Sequence, residues 1–410
     1  MGIHAALYLN FYVQNNLLGS KLKEFYVLCG VVGVVAFAAI GTTALAPLRR
    51  RSYRVFYVVH VVLATALVPV LFFHVHHIRI YLYETAAIYA VNALIRWLSA
   101  TDARGSIRSI PNTSLLEIVV SNESSAPSKR LIQDLRPGQH AYVSLAGNSF
   151  LHTFRSNPFT VASVPSTDGH IKFVARALNG NTKLLLSNAE KHSFDTKVDI
   201  TVEGSYGLNT HEDRLLQYDR VLFIAGGVGA TFIVPLYRQL LADLSPGKGS
   251  YRRQKVSFVW IARTKSEVTW AVPSNPREKE GFTERLKICL TGISDEGNGN
   301  GNAMDYDDNI EAAAIDEDED GIELEEQKQL LSNDAQSNGK SAADANDLAT
   351  YTGRPDIRRL VHQTLSHAGN ERVAIMVCGP KALSHNIRQE VAPWVKRGRE
   401  VWFHDESFNL

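Results

Sequence analysis

The sequence predicts a multi-domain chain with three architectures in series: an α-helical membrane segment, a small antiparallel β-barrel, and an open α/β parallel sheet. Three observations predict this. Apolar residues are concentrated in the first hundred positions, short β-branched runs alternate with turns from about Arg104, and from about Tyr218 the pattern becomes strand, Gly-rich turn, helix, strand. The expected domains are 1–100, 104–212 and 216–410.

Three segments near the length of a membrane span open the chain: about Phe25 to Ala46, Val55 to His74, and Ile80 to Trp97. The basic run Pro47-Leu48-Arg49-Arg50-Arg51-Ser52-Tyr53-Arg54 reads as a short loop, and the positive-inside rule places it in the cytosol. Everything from about Thr101 onward is then cytosolic. The first span is not a secretory signal, because arginines rather than a small-residue cleavage site follow it. Three cysteines, Cys29, Cys289 and Cys378, exclude a disulfide scaffold.

His60 and His74 lie fourteen residues apart on the second span. Fourteen residues are close to four turns, so both rings project from nearly one face, about 21 Å apart at the helical rise. Neutral imidazole is a common axial ligand of haem iron, and this spacing suits two haems, one near each leaflet. The plainer alternative is a pair of histidines hydrogen-bonded within a helical bundle.

The net charge of +1 hides an acidic block with 14 Asp and Glu and no Lys or Arg between Asp295 and Glu326. Such composition cannot bury enough apolar surface to fold, so about 292–348 reads as a disordered insertion. Strand-like sequence resumes beyond it.

In the middle region, Leu115–Val120, His140–Leu145 and Ile171–Arg176 read as strands of the barrel. Asn157-Pro158-Phe159-Thr160 and Pro137-Gly138-Gln139 are placed to shape a slot for a flat ring, with Phe159 packing on it and Thr160 hydrogen-bonding its edge. In the last region, Arg220–Ala225 reads as a buried strand, Gly226-Gly227-Val228-Gly229-Ala230-Thr231 as a turn, and Phe232–Ala242 as a helix. A glycine turn between strand and helix lets backbone approach a pyrophosphate at the helix N-terminus. The next strand, Val256–Ala262, ends in Arg263-Thr264-Lys265, where an acid would select NAD. Positive charge there suits a 2′-phosphate and favours NADPH over NADH. A third strand, Arg372–Val377, leads into Cys378-Gly379-Pro380 at the carboxyl edge, where ligands of open sheets bind. A thiol there could lie against a nicotinamide, although a lone cysteine is more often core.

In this order, these elements resemble the ferric reductase and NADPH oxidase superfamily, most closely the fungal ferric/cupric metalloreductases. The motifs are the His60/His74 helix, Pro137-Gly138-Gln139, Pro158-Phe159-Thr160, Val202-Glu203-Gly204-Ser205-Tyr206-Gly207, Gly226-Gly227-Val228-Gly229-Ala230-Thr231, Gly353-Arg354-Pro355, Cys378-Gly379-Pro380 and Phe403-His404-Asp405-Glu406-Ser407-Phe408. The resemblance implies a partial transmembrane haem domain, an FAD-binding barrel and an NADPH-binding domain of ferredoxin reductase type. It implies flavin contacts at Pro158, Phe159 and Thr160, and FAD phosphate contacts at Arg176, Thr182 and Lys183. It further implies a domain-junction turn at Gly204 and Gly207, and an NADPH phosphate turn at Gly226, Gly227, Gly229 and Thr231. Arg263 and Arg354 would lie near the 2′-phosphate, and Gly379 and Pro380 in the cofactor pocket. Cys378 and Phe408 would stand beside the nicotinamide.

Two departures stand out. Asn157 replaces the usual His of the His-Pro-Phe-Thr motif, so Arg155 is a candidate to reach the FAD phosphates. In the family each haem b is held by one His from each of two helices, but only His4 precedes the first span. His4 would pair with His74 at the outer haem, and His60 at the inner haem would lack a partner. About three amino-terminal spans therefore look missing, from a truncated gene model or in a short isoform. The expected function is transmembrane NADPH-dependent ferric or cupric chelate reduction, through FAD and haem, in the plasma membrane. Its partners would be metal chelates and membrane lipid, with functional coupling to an iron permease or oxidase and no nucleic acid. A superoxide-producing oxidase and a non-relaying regulatory or diaphorase form are the alternatives.

Overall fold

The computed structural model describes residues 2–121, 133–145, 157–177, 182–183, 185–187, 197–208, 211–245, 254–292, 348–366 and 369–406. Two compact units part between Ile95 and Arg96.

The first unit is helical. It contains α1 (Gly2–Gln14), α2 (Phe25–Thr43), α3 (Ala46–Arg51), α4 (Tyr53–His74) and most of α5 (Arg79–Ser99). Helices α2 and α4 pack against each other through small residues. Cys29, Gly33 and Ala36 form the buried stripe of α2, and Gly33 faces Leu67 and Leu71 of α4. Small residues let two helices approach closely where the surroundings are as apolar as the helices themselves. The outward faces carry exposed apolar side chains such as Val35 and Val62, so these are not the core helices of a soluble protein.

Two of the three expected spans survive. Phe25–Thr43 and Val55–His74 are long and apolar enough to cross a membrane. The third, Ile80 to Trp97, falls within the 21-residue α5, which is long enough but not among the helices apolar enough to qualify. Glu84, Asn92 and Arg96, with three tyrosines, dilute it. The basic run after Ala46 is likewise not a plain loop. Pro47 stands in the first turn of α3, where its fixed φ is favourable, and Ser52 breaks the chain before α4.

The second unit contains two sheets. The first has strands β1 (Ala100–Ser109), β2 (Leu115–Ser121), β3 (His140–Leu145), β4 (Asn157–Thr160), β5 (His170–Arg176) and β6 (Val198–Tyr206). They run antiparallel in the order β4-β3-β6-β1-β2-β5. A bridge between Val161 and Phe173 joins the two edges and closes the sheet into a barrel. Residues of β2 alternate as a strand requires: Leu116, Ile118 and Val120 fill the barrel, while Leu115 and Glu117 face outward. Glu117 is nevertheless fully buried, paired with Arg108 and Lys172.

The second sheet has β7 (Arg220–Gly226), β8 (Lys255–Ala262), β9 (Leu286–Leu290), β10 (Thr350–Thr352), β11 (Val373–Cys378) and β12 (Val401–Glu406). All pairs are parallel, in the order β10-β9-β8-β7-β11-β12. Both faces of β7 are buried, which explains its uninterrupted apolar run. Val221, Phe223 and Ala225 meet the side bearing α6 (Ala230–Asp243) and α7 (Pro276–Glu284). Leu222 and Ile224 meet the side bearing α8 (Ile357–Ser366) and α9 (Lys381–Lys396). The barrel residues Ile110, Leu115, Ala162 and Val174 belong to the same buried cluster as Phe232, Leu236 and Trp270, so barrel and sheet share one apolar seam. Most of the acidic insertion lies outside the described residues.

Candidate active site

The strand order reverses between β7 and β11, which makes their carboxyl ends the switch point where open sheets bind ligands. Both ends are glycine-rich for a steric reason. A Cβ on Gly229 would stand 2.3 Å from the Cys378 carbonyl oxygen, and one on Gly226 would stand 2.7 Å from Pro380 Cδ. Gly379 in turn touches the Gly226 backbone. Gly226, Gly229 and Gly379 are therefore packing glycines that let two strand ends touch. Gly227 differs, with φ +54° and open space around its missing Cβ except for Arg176, whose Nη2 lies 3.9 Å away. That is a cradle in which a phosphate fits. The Trp260 indole of β8 holds the turn by donating to the Gly227 carbonyl at 3.2 Å, a contact the sequence did not advertise. Thr231 is buried and donates its hydroxyl to the Val228 carbonyl at 2.9 Å, so it shapes the turn.

At the same edge, Ala262, Leu290 and Thr352 are in register across β8, β9 and β10. Arg263 and Arg354 follow the outer two of these strands and are exposed. Adjacent strands are about 4.8 Å apart, so the two strand ends lie about 10 Å apart across β9. Glu267, near this edge, is buried and accepts from the Arg263 backbone N–H at 3.0 Å, whereas Asp356, two residues after Arg354, is exposed.

On the barrel, β4 carries Pro158, Phe159 and Thr160, but Phe159 faces the barrel interior rather than packing on a ring as expected. Phe159 is buried in the barrel core, so by alternation Pro158 and Thr160 stand on the opposite face. Thr160 lies opposite His140, which in turn pairs with Tyr206. Arg176 ends β5 with its Nε buried and without a hydrogen-bond partner among the described residues. A buried, unsatisfied guanidinium N–H at the end of a strand calls for an anion, and a flavin or nucleotide phosphate supplies one. Thr182 is buried nearby in sequence, on a short helical stretch. Gly204 and Gly207 have φ of +71° and +97°, as the bend after Glu203 requires. Arg155 and Phe408 lie outside the described residues.

The sequence reading missed a cluster at the seam. His211 and His404 have ring centroids 4.7 Å apart, and His404 Nε2 lies 3.2 Å from Glu406. Phe232 stacks on His404, and His211 meets the Gly138 turn. Burial pushes the His211 imidazole below its ordinary pKa, helped by His404 and Arg214 and opposed by Glu406. Burial lowers His140 too, again opposed by Glu406. Cys378 is fully buried, and burial with the Glu406 and Asp405 charges pushes its thiol far up. It is a neutral thiol that floors the crevice.

In the helical unit, His74 Nδ1 lies 2.8 Å from the Tyr26 carbonyl. A carbonyl only accepts, so Nδ1 carries the proton and Nε2 keeps its lone pair, the arrangement of a metal-ligating histidine. A Cβ on Gly30 would stand 2.5 Å from the His74 ring, so glycine makes the space for it. His60 Nδ1 is buried without a hydrogen-bond partner among the described residues. Both histidines suit haem ligation. His4 is exposed on α1, which buries no residue, and its ring contacts Tyr8.

Three family descriptions match the chain in series: a ferric reductase like transmembrane component over residues 1–71, an FAD-binding domain over 107–210, and a ferric reductase NAD binding domain over 218–392. Segment by segment, the chain is thus similar to ferric reductases. Among relatives, the probable metalloreductase AIM14 of Meyerozyma guilliermondii is 21% identical over 389 residues, covering 92% of this chain and 68% of that protein. The ferric/cupric reductase transmembrane component 2 of Saccharomyces cerevisiae is 23% identical over 416 residues, covering 98% of this chain and 53% of that one. Respiratory burst oxidase homolog protein B of Solanum tuberosum is 21% identical over 309 residues, covering 66% of this chain and 32% of that one. The chain thus spans about half the length of the yeast ferric reductase.

Gly229→Ala should drive the Gly226–Gly229 turn off the Cys378 backbone. The expected result is loss of binding to adenosine 2′,5′-bisphosphate by calorimetry, with the circular dichroism of the fold retained. Wild-type affinity in the variant would show that the close approach is dispensable. The histidines give a second expectation. His211 binds a proton more readily unfolded than folded, so its contribution is full above about pH 6.5 and is lost as pH falls below that value. Thermal unfolding between pH 7.5 and 5.5 should show this decline, and His211→Gln should flatten it; an undiminished slope in the variant would assign the decline elsewhere.

Proposed function

We propose that this chain is the NADPH-oxidising, electron-conducting part of a transmembrane ferric or cupric chelate reductase. The carrying observation is Arg176, its Nε buried without a hydrogen-bond partner among the described residues, standing beside the open Gly227 turn, in a chain that also bears His60 and His74 on an apolar helix. When bound, NADPH, FAD and haem b supply hydride transfer, division of the electron pair and single-electron conduction.

The chain's residues do the holding and orienting. Gly227 with the N-terminus of α6 accepts the dinucleotide phosphates, and Arg176 neutralises phosphate charge at the same place. Arg263 and Arg354 select the 2′-phosphate and hence NADPH over NADH. Pro158, Thr160, Gly204 and Gly207 shape the flavin side, and neutral Cys378 closes the nicotinamide side against water. His404 and Glu406, 3.2 Å apart, border the same seam. His74, oriented by the Tyr26 carbonyl, would hold the outer haem with His4 as its expected counterpart, and His60 would serve the inner one. The basic α3 end faces the cytosol, with the flavin and nucleotide domains on that side of the plasma membrane and the metal chelate outside. Functional coupling to an iron permease or oxidase would follow from delivering reduced metal there.

Relatedness to a respiratory burst oxidase homolog supports a second reading, delivery of the same electrons to oxygen. Superoxide formation in the absence of any ferric chelate would favour it.

Two variants test the main reading in membranes loaded with FAD and haem. His74→Ala should abolish reduction of an external ferric chelate while NADPH-driven reduction of a soluble dye persists; joint loss of both activities contradicts separate roles. A wild-type preparation with FAD but no Soret band would sink the relay. Arg263→Asp should weaken NADPH by about ten- to hundredfold, the worth of a charge-assisted hydrogen bond, and NADH far less. Equal losses would show that the arginine does not read the phosphate.

A further inference from the structure

We propose that Arg238 is a positioning residue for hydride transfer, a buried clasp that fixes the register of the barrel against the parallel sheet. This rests on the reading of bound FAD and NADPH given above. Arg238 stands on α6, two turns beyond the phosphate turn. Its Nη1 and Nη2 donate to the two oxygens of Asp168 at 2.9 and 2.7 Å, and its Nε donates to Glu278 Oε1 at 2.8 Å. Asp168 belongs to the barrel, ending a single helical turn that follows β4, and its Oδ2 also accepts from the Val164 backbone N–H at 2.9 Å. One carboxylate is therefore bonded both to the backbone leading from Thr160 and to the helix that begins at the phosphate turn.

The fork is a built feature. The side chains of Arg238 and Asp168 are only 10% and 12% exposed, so solvent screens little of the interaction. Burial alone would raise the Asp168 carboxyl; the Arg238 hydrogen bonds and charge overturn that and hold it below the ordinary carboxylate range. A second tie runs alongside. Lys172 of β5 donates to the Trp270 carbonyl at 3.0 Å, seven residues beyond Arg263. Each tie joins the barrel, at the turn before β5 or on β5 itself, to a segment adjoining an expected nucleotide contact.

Stability alone does not require this arrangement. The apolar seam of Ile110, Leu115, Ala162 and Val174 against Phe232, Leu236 and Trp270 already joins the two sheets, but apolar contact is non-directional and tolerates sliding. A bidentate guanidinium fork does not. Hydride donor and acceptor must sit about 3–3.5 Å apart, and a slip of about 1 Å costs about a hundredfold in rate.

The test uses the full chain loaded with FAD, as wild type, Asp168→Asn and Arg238→Lys. Four quantities are read: bound FAD, affinity for adenosine 2′,5′-bisphosphate, the stopped-flow rate of flavin bleaching by NADPH, and amide hydrogen exchange of residues 165–172 and 211–218. The expected result is near wild-type FAD content and bisphosphate affinity, flavin reduction slowed about tenfold or more, and faster exchange in both segments. Unchanged bleaching in both variants overturns the proposal. So does a fall in bisphosphate affinity parallel to the fall in rate, which would make the fork a folding element of the nucleotide domain. If wild type binds FAD but NADPH does not bleach it, the functional reading fails; hydrogen exchange then still judges the clasp, and unchanged protection rejects it.

Discussion

Backbone contact between the ends of β7 and β11 is the constraint on which the rest of the nucleotide side depends. Gly226 against Gly379, and Gly229 against the Cys378 carbonyl, bring two strand ends closer than any side chain would allow. That closeness puts the start of α6 directly over the switch point, where its unsatisfied N–H groups can serve a phosphate. It also buries the Cys378 thiol, removing it as a nucleophile and leaving it as neutral packing. Gly227, alone among these glycines in having open space beside it, is free to face a ligand. One steric requirement thus separates glycines that hold the crevice from the glycine that lines it.

The seam between barrel and sheet shows how opposed interactions share a task. Apolar residues provide most of its burial, and the ionic fork at Arg238 and the Lys172–Trp270 bond provide direction. The histidine cluster adds a third component. Burial and the nearby His404 hold the His211 imidazole below its ordinary pKa, opposed by Glu406, so a charged His211 would cost this seam free energy.

Legibility in the sequence followed the range of the interactions. The β7 strand, the glycine turn and the helix after it are encoded within about twenty consecutive residues, and their local pattern sufficed to place them. The same holds for β2, β3 and β5, whose β-branched runs match the observed strands closely. Short or polar strands such as β10 and β12 carry no such period and depend on neighbours for their pairing. The α5 segment has the length of a span, but its tyrosines and charges make it less apolar than α2 and α4, which length alone did not reveal. Of the site, Gly227 and Arg176 were named from motif position, but their nearness was not legible across about fifty residues. Asp168 with Arg238, seventy residues apart, and Trp260 with Gly227 were invisible, because partners of buried polar groups are chosen by the fold. The packing role of Gly226 and Gly379 was hidden similarly: a glycine code cannot distinguish a phosphate contact from a close approach.

The helical unit is governed by the same logic of missing side chains. His60 and His74 share a helix, yet their surroundings are unequal. His74 is oriented: Gly30 removes the Cβ that would collide with its ring, and the Tyr26 carbonyl one helical turn earlier fixes which nitrogen carries the proton. His60 has a buried Nδ1 with no hydrogen-bond partner among the described residues and Phe56 as its ring neighbour. An unsatisfied buried nitrogen costs free energy unless a ligand or another chain segment completes it. A histidine that holds a metal needs a carbonyl or other acceptor that sets its tautomer, and of these two only His74 has one within the described residues. The fourteen-residue spacing puts both rings on nearly one face, whereas the Tyr26 carbonyl makes the two positions chemically unequal.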